Sequence, residues 1–225
     1  MKTIHRRTRR RSTVAVLSAL LCSAGASVVP ASALAAGAVR PGFDCAKASG
    51  AVLQTICHDP TLAALDRENA RLLGLARKTP GLTKRRASQL EATQRGWTER
   101  RNDCWKADDA RTCIRDAYMA RIAELRGGYA GARAAQRAPA VSIGPVAVRC
   151  PVTGNLAATF VNVEPPLMLL TGSGRALVLT IAPSGSGARY TAAGPGGDAS
   201  FWQKGPQAQV QWPGAKEESC SVAMN

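Results

Sequence analysis

Cysteines are the residues of this 225-residue chain whose types and spacing most clearly indicate chemistry. One of the seven, Cys22, lies in an apolar stretch near the start, and the others are Cys45, Cys57, Cys104, Cys113, Cys150 and Cys220. No two of them form a Cys-x-x-Cys pair, and His58 is the only histidine beyond residue 5. We therefore expect no metal site and no thiol-redox site. An even set of six in an exported chain is typical of disulfide bonds.

The first 35 residues have the layout of a secretory signal peptide. A basic start is followed by the apolar run 14–21 and by the small-x-small site Ala33-Leu34-Ala35. The apolar run is shorter than the roughly 20 residues that span a bilayer. Cleavage after Ala35 removes Cys22, whose neighbour Leu21 is bulkier than a lipoprotein site prefers. We predict Sec-type export to the periplasm or cell envelope, with lipid anchoring, and hence membrane attachment, as the less favoured alternative.

The net charge of +15 belongs mainly to the N-terminal part of the chain. Six basic residues precede residue 12, and segment 36–140 has 19 basic against 11 acidic residues. Segment 141–225 has five against four. No aromatic residues are interleaved with a basic strip, as nucleic-acid surfaces require, so we expect no nucleic-acid partner.

Segment 43–127 has the periodicity of a small helical domain. Apolar residues recur at helical spacing over 60–78, 83–104 and 109–126. Asp59-Pro60 is a start signal for the first helix, and Gly127-Gly128 ends the third. Three short helices bury a small core, which four cysteines can reinforce covalently. Their pairing stays open among three possibilities, with Cys45–Cys57 and Cys104–Cys113 as the local one.

After a predicted linker at 128–145, the periodicity changes from helical to alternating. Turn-forming Gly, Pro, Asn and Ser residues separate at least six short apolar segments between residues 146 and 212. This pattern predicts an antiparallel β-barrel or sandwich over 146–225. The fold class is therefore multi-domain α + β, a disulfide-stapled three-helix module followed by the β domain. We expect Cys150 and Cys220 to join the ends of that domain.

Short motifs stand in a fixed order between these two cysteines. They are Glu164-Pro165-Pro166, then Ser186-Gly187-Ala188-Arg189-Tyr190, then Phe201-Trp202-Gln203-Lys204-Gly205. This order resembles the MliC/PliC family of c-type lysozyme inhibitors, whose pattern is a Cys, a Ser-Gly-x-x-Tyr loop, a Trp-x-Lys-Gly segment and a closing Cys. The acidic residues that commonly follow the last segment are replaced here by Pro206-Gln207.

The resemblance implies that Ser186 and Lys204 enter the active-site cleft of a c-type lysozyme. Gly187, Tyr190 and Gly205 belong to the same lysozyme-binding loops, and Tyr190 and Trp202 are expected to hold these loops in place. Segment 43–126 resembles the LprI-type N-terminal domain, through motifs such as Phe43-Asp44-Cys45 and the other three cysteines in register. That domain is also linked to lysozyme inhibition, but its residues carry no assigned role.

The leading hypothesis is thus an inhibitor of c-type lysozyme in the bacterial envelope, with no cofactor and no small-molecule substrate. The alternative is an envelope structural or adaptor protein that binds a partner or glycan through the helical module. An enzyme is not expected, because paired cysteines leave no thiol nucleophile and the β domain shows no paired carboxylates.

Overall fold

The computed structural model describes residues 39–134, 141–172, 174–194 and 196–223. Residues 37–225 form one compact unit. The predicted signal peptide and Cys22 lie outside the described residues. No helix within the described ranges is long and apolar enough to cross a membrane.

The N-terminal half is helical, as the sequence predicts. Its α-helices are α1 (Ala51–His58), α2 (Pro60–Arg77), α3 (Lys84–Asn102), α4 (Ala110–Gly128) and α5 (Ala130–Ala134), with 3-10 turns at Cys45–Lys47 and Asp103–Lys106. The three predicted helices are α2, α3 and α4. Helix α5 falls inside the segment that the sequence predicts as a linker, whose Ala- and Arg-rich composition carries no clear apolar stripe.

Side-chain caps fix where the long helices begin. Asp59 accepts a hydrogen bond from the Leu62 amide at 2.9 Å, and Thr83 and Asp109 cap α3 and α4 in the same way. Disulfides Cys45–Cys57 and Cys104–Cys113 close loops at the edge of the helical core. The local pairing among the three open possibilities is therefore the one present.

The C-terminal half is a closed antiparallel barrel of eight strands in sequence order. The strands are β1 (Ser142–Cys150), β2 (Gly154–Val161), β3 (Leu167–Gly172), β4 (Arg175–Ala182), β5 (Ala188–Ala192), β6 (Ala199–Lys204), β7 (Gln207–Gln211) and β8 (Glu218–Val222). The barrel is thus chosen over the sandwich. Strand β1 starts four residues before the predicted boundary at 146.

Strand β8 closes the barrel against β1 through a short register. Val148 faces Val222 and Arg149 faces Ser221, and the Cys150–Cys220 disulfide joins the same two strands. The Glu218 carboxylate accepts hydrogen bonds from the Val152 and Thr153 amides at 2.8 and 2.9 Å and from the Thr153 hydroxyl. These contacts strengthen the junction between β1 and β8, where only a few residues pair through the backbone.

The helical half packs on the outer face of the barrel. Leu167 and Leu169 of β3 belong to the helical core, whereas Met168 and Leu170 point into the barrel. Both faces of β3 are therefore buried, which explains its continuous apolar sequence.

A buried polar network crosses this junction. Glu68 of α2 accepts hydrogen bonds from the Ser142 hydroxyl and from Arg71. Arg126 of α4 donates to the Gly144 carbonyl at 2.6 Å and to the Ser142 hydroxyl at 3.3 Å. Burial lowers the pKa of Arg126, and the nearby Glu68 carboxylate opposes that shift. The network ties the first barrel strand to the helices.

Candidate functional site

Three hairpin connections lie together at one end of the barrel. Because neighbouring strands are antiparallel, the connections β2–β3, β4–β5 and β6–β7 share that end, which we call the loop end. The β4–β5 loop, 183–187, contains Ser186 and Gly187, and the β6–β7 turn contains Gly205. The fold thus brings the two motif segments to one place.

The β4–β5 loop is held in a narrow turn. Gly187 has φ +69°, and a methyl group there would lie 2.2 Å from the Gln203 carbonyl oxygen and 3.0 Å from Lys204 Cγ. The Ser184 hydroxyl donates to the Gly187 carbonyl at 3.1 Å. Ser186 is exposed at the tip. Only glycine fits at 187, because it lacks the Cβ and tolerates a positive φ.

The β6–β7 connection is a two-residue hairpin. Lys204 pairs with Gln207, and between them Gly205 has φ +59° while the ring of Pro206 holds φ negative. That combination is the type II′ turn, which matches the twist of antiparallel strands. Lys204 and Gly205 are therefore exposed at the loop end.

Trp202 connects the two loops. Its indole N–H donates to the Ser186 carbonyl at 2.8 Å, and the Lys204 ammonium lies 3.8 Å from the centre of its ring. Trp202 and Lys204 share one face of β6 because they are two residues apart. A cation over an indole ring at this distance is attracted by its π electrons. One side chain therefore positions both the serine loop and the lysine.

Tyr190 has a different place from the other predicted site residues. It is 6% exposed, faces into the barrel, and packs on Phe160 with ring centres 5.6 Å apart. Burial raises the pKa of its hydroxyl. Tyr190 supports the loops from inside, and its ring is not part of the exposed surface at the loop end.

The exposed surface offers donors and one cation. Trp202 and Lys204 line a shallow cavity of about 280 Å³ with Gln207, Ala208 and Gln209. A hydroxyl at Ser186 and an ammonium at Lys204 suit a carboxylate-bearing partner. Elsewhere in the described residues, Cys150, Glu218 and Cys220 are the single grouping of metal-binding types. Both sulfurs of that group are in a disulfide, which leaves them unavailable as thiolate ligands.

Comparison with known proteins decides the family. The lipoprotein LprI of Mycobacterium tuberculosis and that of Mycobacterium bovis are each 32% identical to this chain over 203 residues, which cover 89% of it and 93% of the relative. The chain belongs to the LprI family. Both resemblances of the sequence are confirmed, because residues 148–219 also match the family described as membrane-bound lysozyme-inhibitor of c-type lysozyme. No solved structure matches significantly.

The MliC match of this LprI-family chain contains both loops. Residues 148–219 run from β1 to β8 and include Ser186, Trp202 and Lys204. The matched family consists of inhibitors, which confirms the expectation that the chain is not an enzyme.

Proposed function

We propose that this protein inhibits c-type lysozyme by inserting the β4–β5 loop and the β6–β7 turn into the active-site cleft. The observation that carries the proposal is the joining of Ser186 and Lys204 through Trp202 at the exposed loop end. The family match over 148–219 supplies the class of target.

The chemistry of the two residues fits the cleft. A retaining glycosidase carries two carboxyl groups beside the scissile bond, one protonated and one ionised. The Ser186 hydroxyl can donate or accept, so it suits either state. The Lys204 ammonium forms charge-assisted hydrogen bonds with a carboxylate, and these strengthen where water is excluded. The two loops can thus form hydrogen bonds with both catalytic carboxyl groups.

Preorganisation favours binding at this end. The Trp202 contact restrains the flexible Lys204 side chain, whose ordering otherwise opposes association. Gly187 and Gly205 have no side chain, so at these two positions the backbone can approach the cleft closely. The barrel carries almost no net charge, with five basic and four acidic residues beyond residue 140. Recognition therefore depends on local contacts and not on long-range attraction.

A lysozyme lysis assay tests the proposal. The chain from residue 37 is titrated into a hen-type lysozyme reaction beside Ser186→Ala and Lys204→Ala. Ser219→Ala and Lys216→Ala serve as matched controls, because they change the same residue types at the opposite end of the barrel. We expect each loop variant to weaken inhibition by about 1–3 kcal/mol, roughly 5- to 150-fold, and the controls to act as wild type. Equal inhibition by the loop and control variants would refute cleft insertion.

A second candidate function is that of an envelope adaptor, with the helical half as its binding module. Trp105 favours it, because its side chain is 63% exposed on the loop closed by Cys104–Cys113. Trp105 also lines a cavity of about 220 Å³ with Asn102 and Asp103. Exposed tryptophan is a common anchor for partners. A wild-type chain that does not inhibit lysozyme in the lysis assay would favour this function over the first.

For localisation we propose export through the segment 1–35 and residence in the envelope. The relatives are named lipoproteins, which supports lipidation of Cys22. The bulky Leu21 beside it had made lipidation the less favoured alternative. Membrane fractionation with mass spectrometry of wild type and Cys22→Ser tests this. Lipidation predicts a membrane-bound wild type with an acylated Cys22, and its absence predicts a released chain that begins near Ala36.

A further inference from the structure

Five exposed cations gather at one corner of the helical half. Two separate segments supply them, the end of α2 with the start of α3, and helix α5. The members are Lys78, Lys84, Arg85, Arg86 and Arg133. We call this surface the cationic corner.

Hydrogen bonds at the end of α4 hold the two segments together. Arg86 donates to the Gly128 carbonyl at 3.1 Å, and Arg133 donates to the Gly127 carbonyl at 2.5 Å. The Gly131 amide donates to the Thr79 hydroxyl at 3.2 Å, and a methyl group at Gly131 would lie 2.6 Å from the Leu75 carbonyl oxygen. The corner is therefore a product of the fold and not of one basic sequence run.

The corner lacks neutralising charge. Segments 78–90 and 125–134 contain no Asp or Glu. In the described parts of the chain, none of the five cations forms an ion pair with a carboxylate, whereas Arg71, Arg77 and Arg111 do. Five positive charges at one place, without partners of their own, indicate an anionic surface as the partner.

The corner and the contact of α2 with the β2–β3 loop lie at opposite ends of α2. The N-terminal end of α2 contacts the β2–β3 loop through a hydrogen bond from Thr61 to the Glu164 carbonyl. The corner lies beyond the other end of this 18-residue helix, about 26 Å away at 1.5 Å per residue.

We propose that the cationic corner docks on the anionic phospholipid headgroups of a bilayer. Lys and Arg near an anionic membrane surface each contribute about fivefold to binding. A single-stranded nucleic acid needs aromatic platforms, but Tyr129, the aromatic residue at the corner, is 8% exposed and covered by the Arg86 guanidinium. This proposal does not depend on lysozyme inhibition.

Vesicle sedimentation tests the proposal. The chain from residue 37 is mixed at low salt with vesicles of phosphatidylcholine alone or with about one third phosphatidylglycerol. The test variant is Lys78→Gln/Lys84→Gln/Arg85→Gln, because these three side chains make no hydrogen bond in the described structure. The charge-matched control is Lys47→Gln/Lys106→Gln/Lys216→Gln. Thermal unfolding followed by circular dichroism reports that both variants are folded.

We expect wild type and control to sediment with the anionic vesicles only, and the test variant to bind about 100-fold more weakly. Raising the salt concentration should release the wild type, because exposed charges are screened. Equal losses in the two triple variants would overturn the proposal, since net charge alone would then explain binding. Binding to soluble polyphosphate without binding to anionic vesicles would also overturn it.

Discussion

At the scale of single residues, the site depends on Trp202 more than on either residue expected to touch lysozyme. Ser186 and Lys204 are ordinary exposed residues by burial, and each alone is a common turn residue. The indole joins them, with a hydrogen bond on one side and its ring face on the other. The geometry that we propose for inhibition therefore depends on a supporting side chain, Trp202.

Gly187 offers a sharp test of loop geometry. Gly187→Ala places a methyl group 2.2 Å from the Gln203 carbonyl oxygen at a positive φ, so the loop must shift. Such strain costs about 1–3 kcal/mol, and we expect inhibition to weaken at least about tenfold. Gly185→Ala on the same loop meets nothing within 4 Å and should change inhibition less than about twofold. Equal behaviour of the two variants in the lysis assay would contradict the close loop contact.

Trp202→Phe separates the hydrogen bond from the ring. Phenylalanine keeps an aromatic face for Lys204 but cannot donate to the Ser186 carbonyl. The loss of a neutral hydrogen bond predicts inhibition weaker by about two- to tenfold, measured as the inhibition constant. Trp212→Phe, which lies after β7 at the opposite end of the barrel, is the control and should leave the constant unchanged. A Trp202→Phe variant as potent as wild type would show that the indole N–H has no positioning role.

The sequence resemblance predicted that the two motif segments lie together, but not which side chain connects them. The motif order predicted that the segments around Ser186 and Lys204 belong together, and the barrel brings them to one end. The spacing of Trp202 and Lys204, two residues apart on a strand, was the available signal for their stacking. The contact between Trp202 and Ser186 joins strand β6 to the β4–β5 loop, and no local pattern encodes it.

At the scale of elements, the barrel closes through β8, whose register with β1 is short. Strand β8 pairs with β1 over a short register, so the disulfide and the Glu218 carboxylate add to the closure. Hydrogen bonds from Thr153 are the leading cause that lowers the pKa of Glu218 below its ordinary value. A carboxyl with a lowered pKa in the folded state stabilises the fold above its unfolded pKa and loses that contribution as the pH falls.

Glu218→Gln is therefore expected to have a pH-dependent effect. At pH 7 the variant should unfold at lower urea concentration than wild type, because the charged acceptor of three hydrogen bonds is gone. The difference should shrink as the pH falls below the usual glutamate range, where wild type is protonated as well. Urea unfolding at pH 7 and at about pH 3 measures it, with the exposed Glu217→Gln as control. A stability difference between wild type and Glu218→Gln that grows as the pH falls would contradict this role of the Glu218 carboxylate.

The helices and strands also differ in how well the sequence pattern predicts them. Helices α2, α3 and α4 were predicted because their apolar residues recur at helical spacing and caps mark their ends. Strand β5 overlaps the Ser-Gly motif, and β5 and β8 each alternate over only five residues, with Ala or Cys at several of the apolar positions, so their sequence signal is weak. Both become strands because closure of the barrel requires their backbone groups to pair. The choice of barrel over sandwich rests on the same long-range pairing.

At the scale of the whole molecule, the helices and the barrel share one core. Leu167 and Leu169 point outward from the barrel and pack in the helical core. The buried Glu68 lies close to Arg71, Arg126 and Ser142. Removing the helical half would expose these apolar side chains and the network. We therefore expect the two halves to unfold as one unit and an isolated barrel to be much less stable.

The variant Glu68→Gln tests whether the helical half and the barrel unfold together. It removes the carboxylate charge that favours the buried Arg126 guanidinium and that accepts hydrogen bonds from Arg71 and the Ser142 hydroxyl, so we expect the free energy of unfolding to fall by about 1–3 kcal/mol. Glu91→Gln removes an exposed partner of Arg77 and should cost about 0–1 kcal/mol. Urea unfolding followed by amide signals from α2 and from β6 should give coincident transitions in each protein. Separate transitions in wild type would contradict a shared core.

The most direct test of cleft insertion is competition for lysozyme between this protein and a short N-acetylglucosamine oligosaccharide that occupies the cleft. Calorimetric titration of the protein into lysozyme is repeated at rising oligosaccharide concentration. If the loops of Ser186 and Lys204 fill the cleft, the apparent Kd must rise linearly with the concentration of free oligosaccharide. An affinity that stays constant, with both ligands on one lysozyme, would contradict the account.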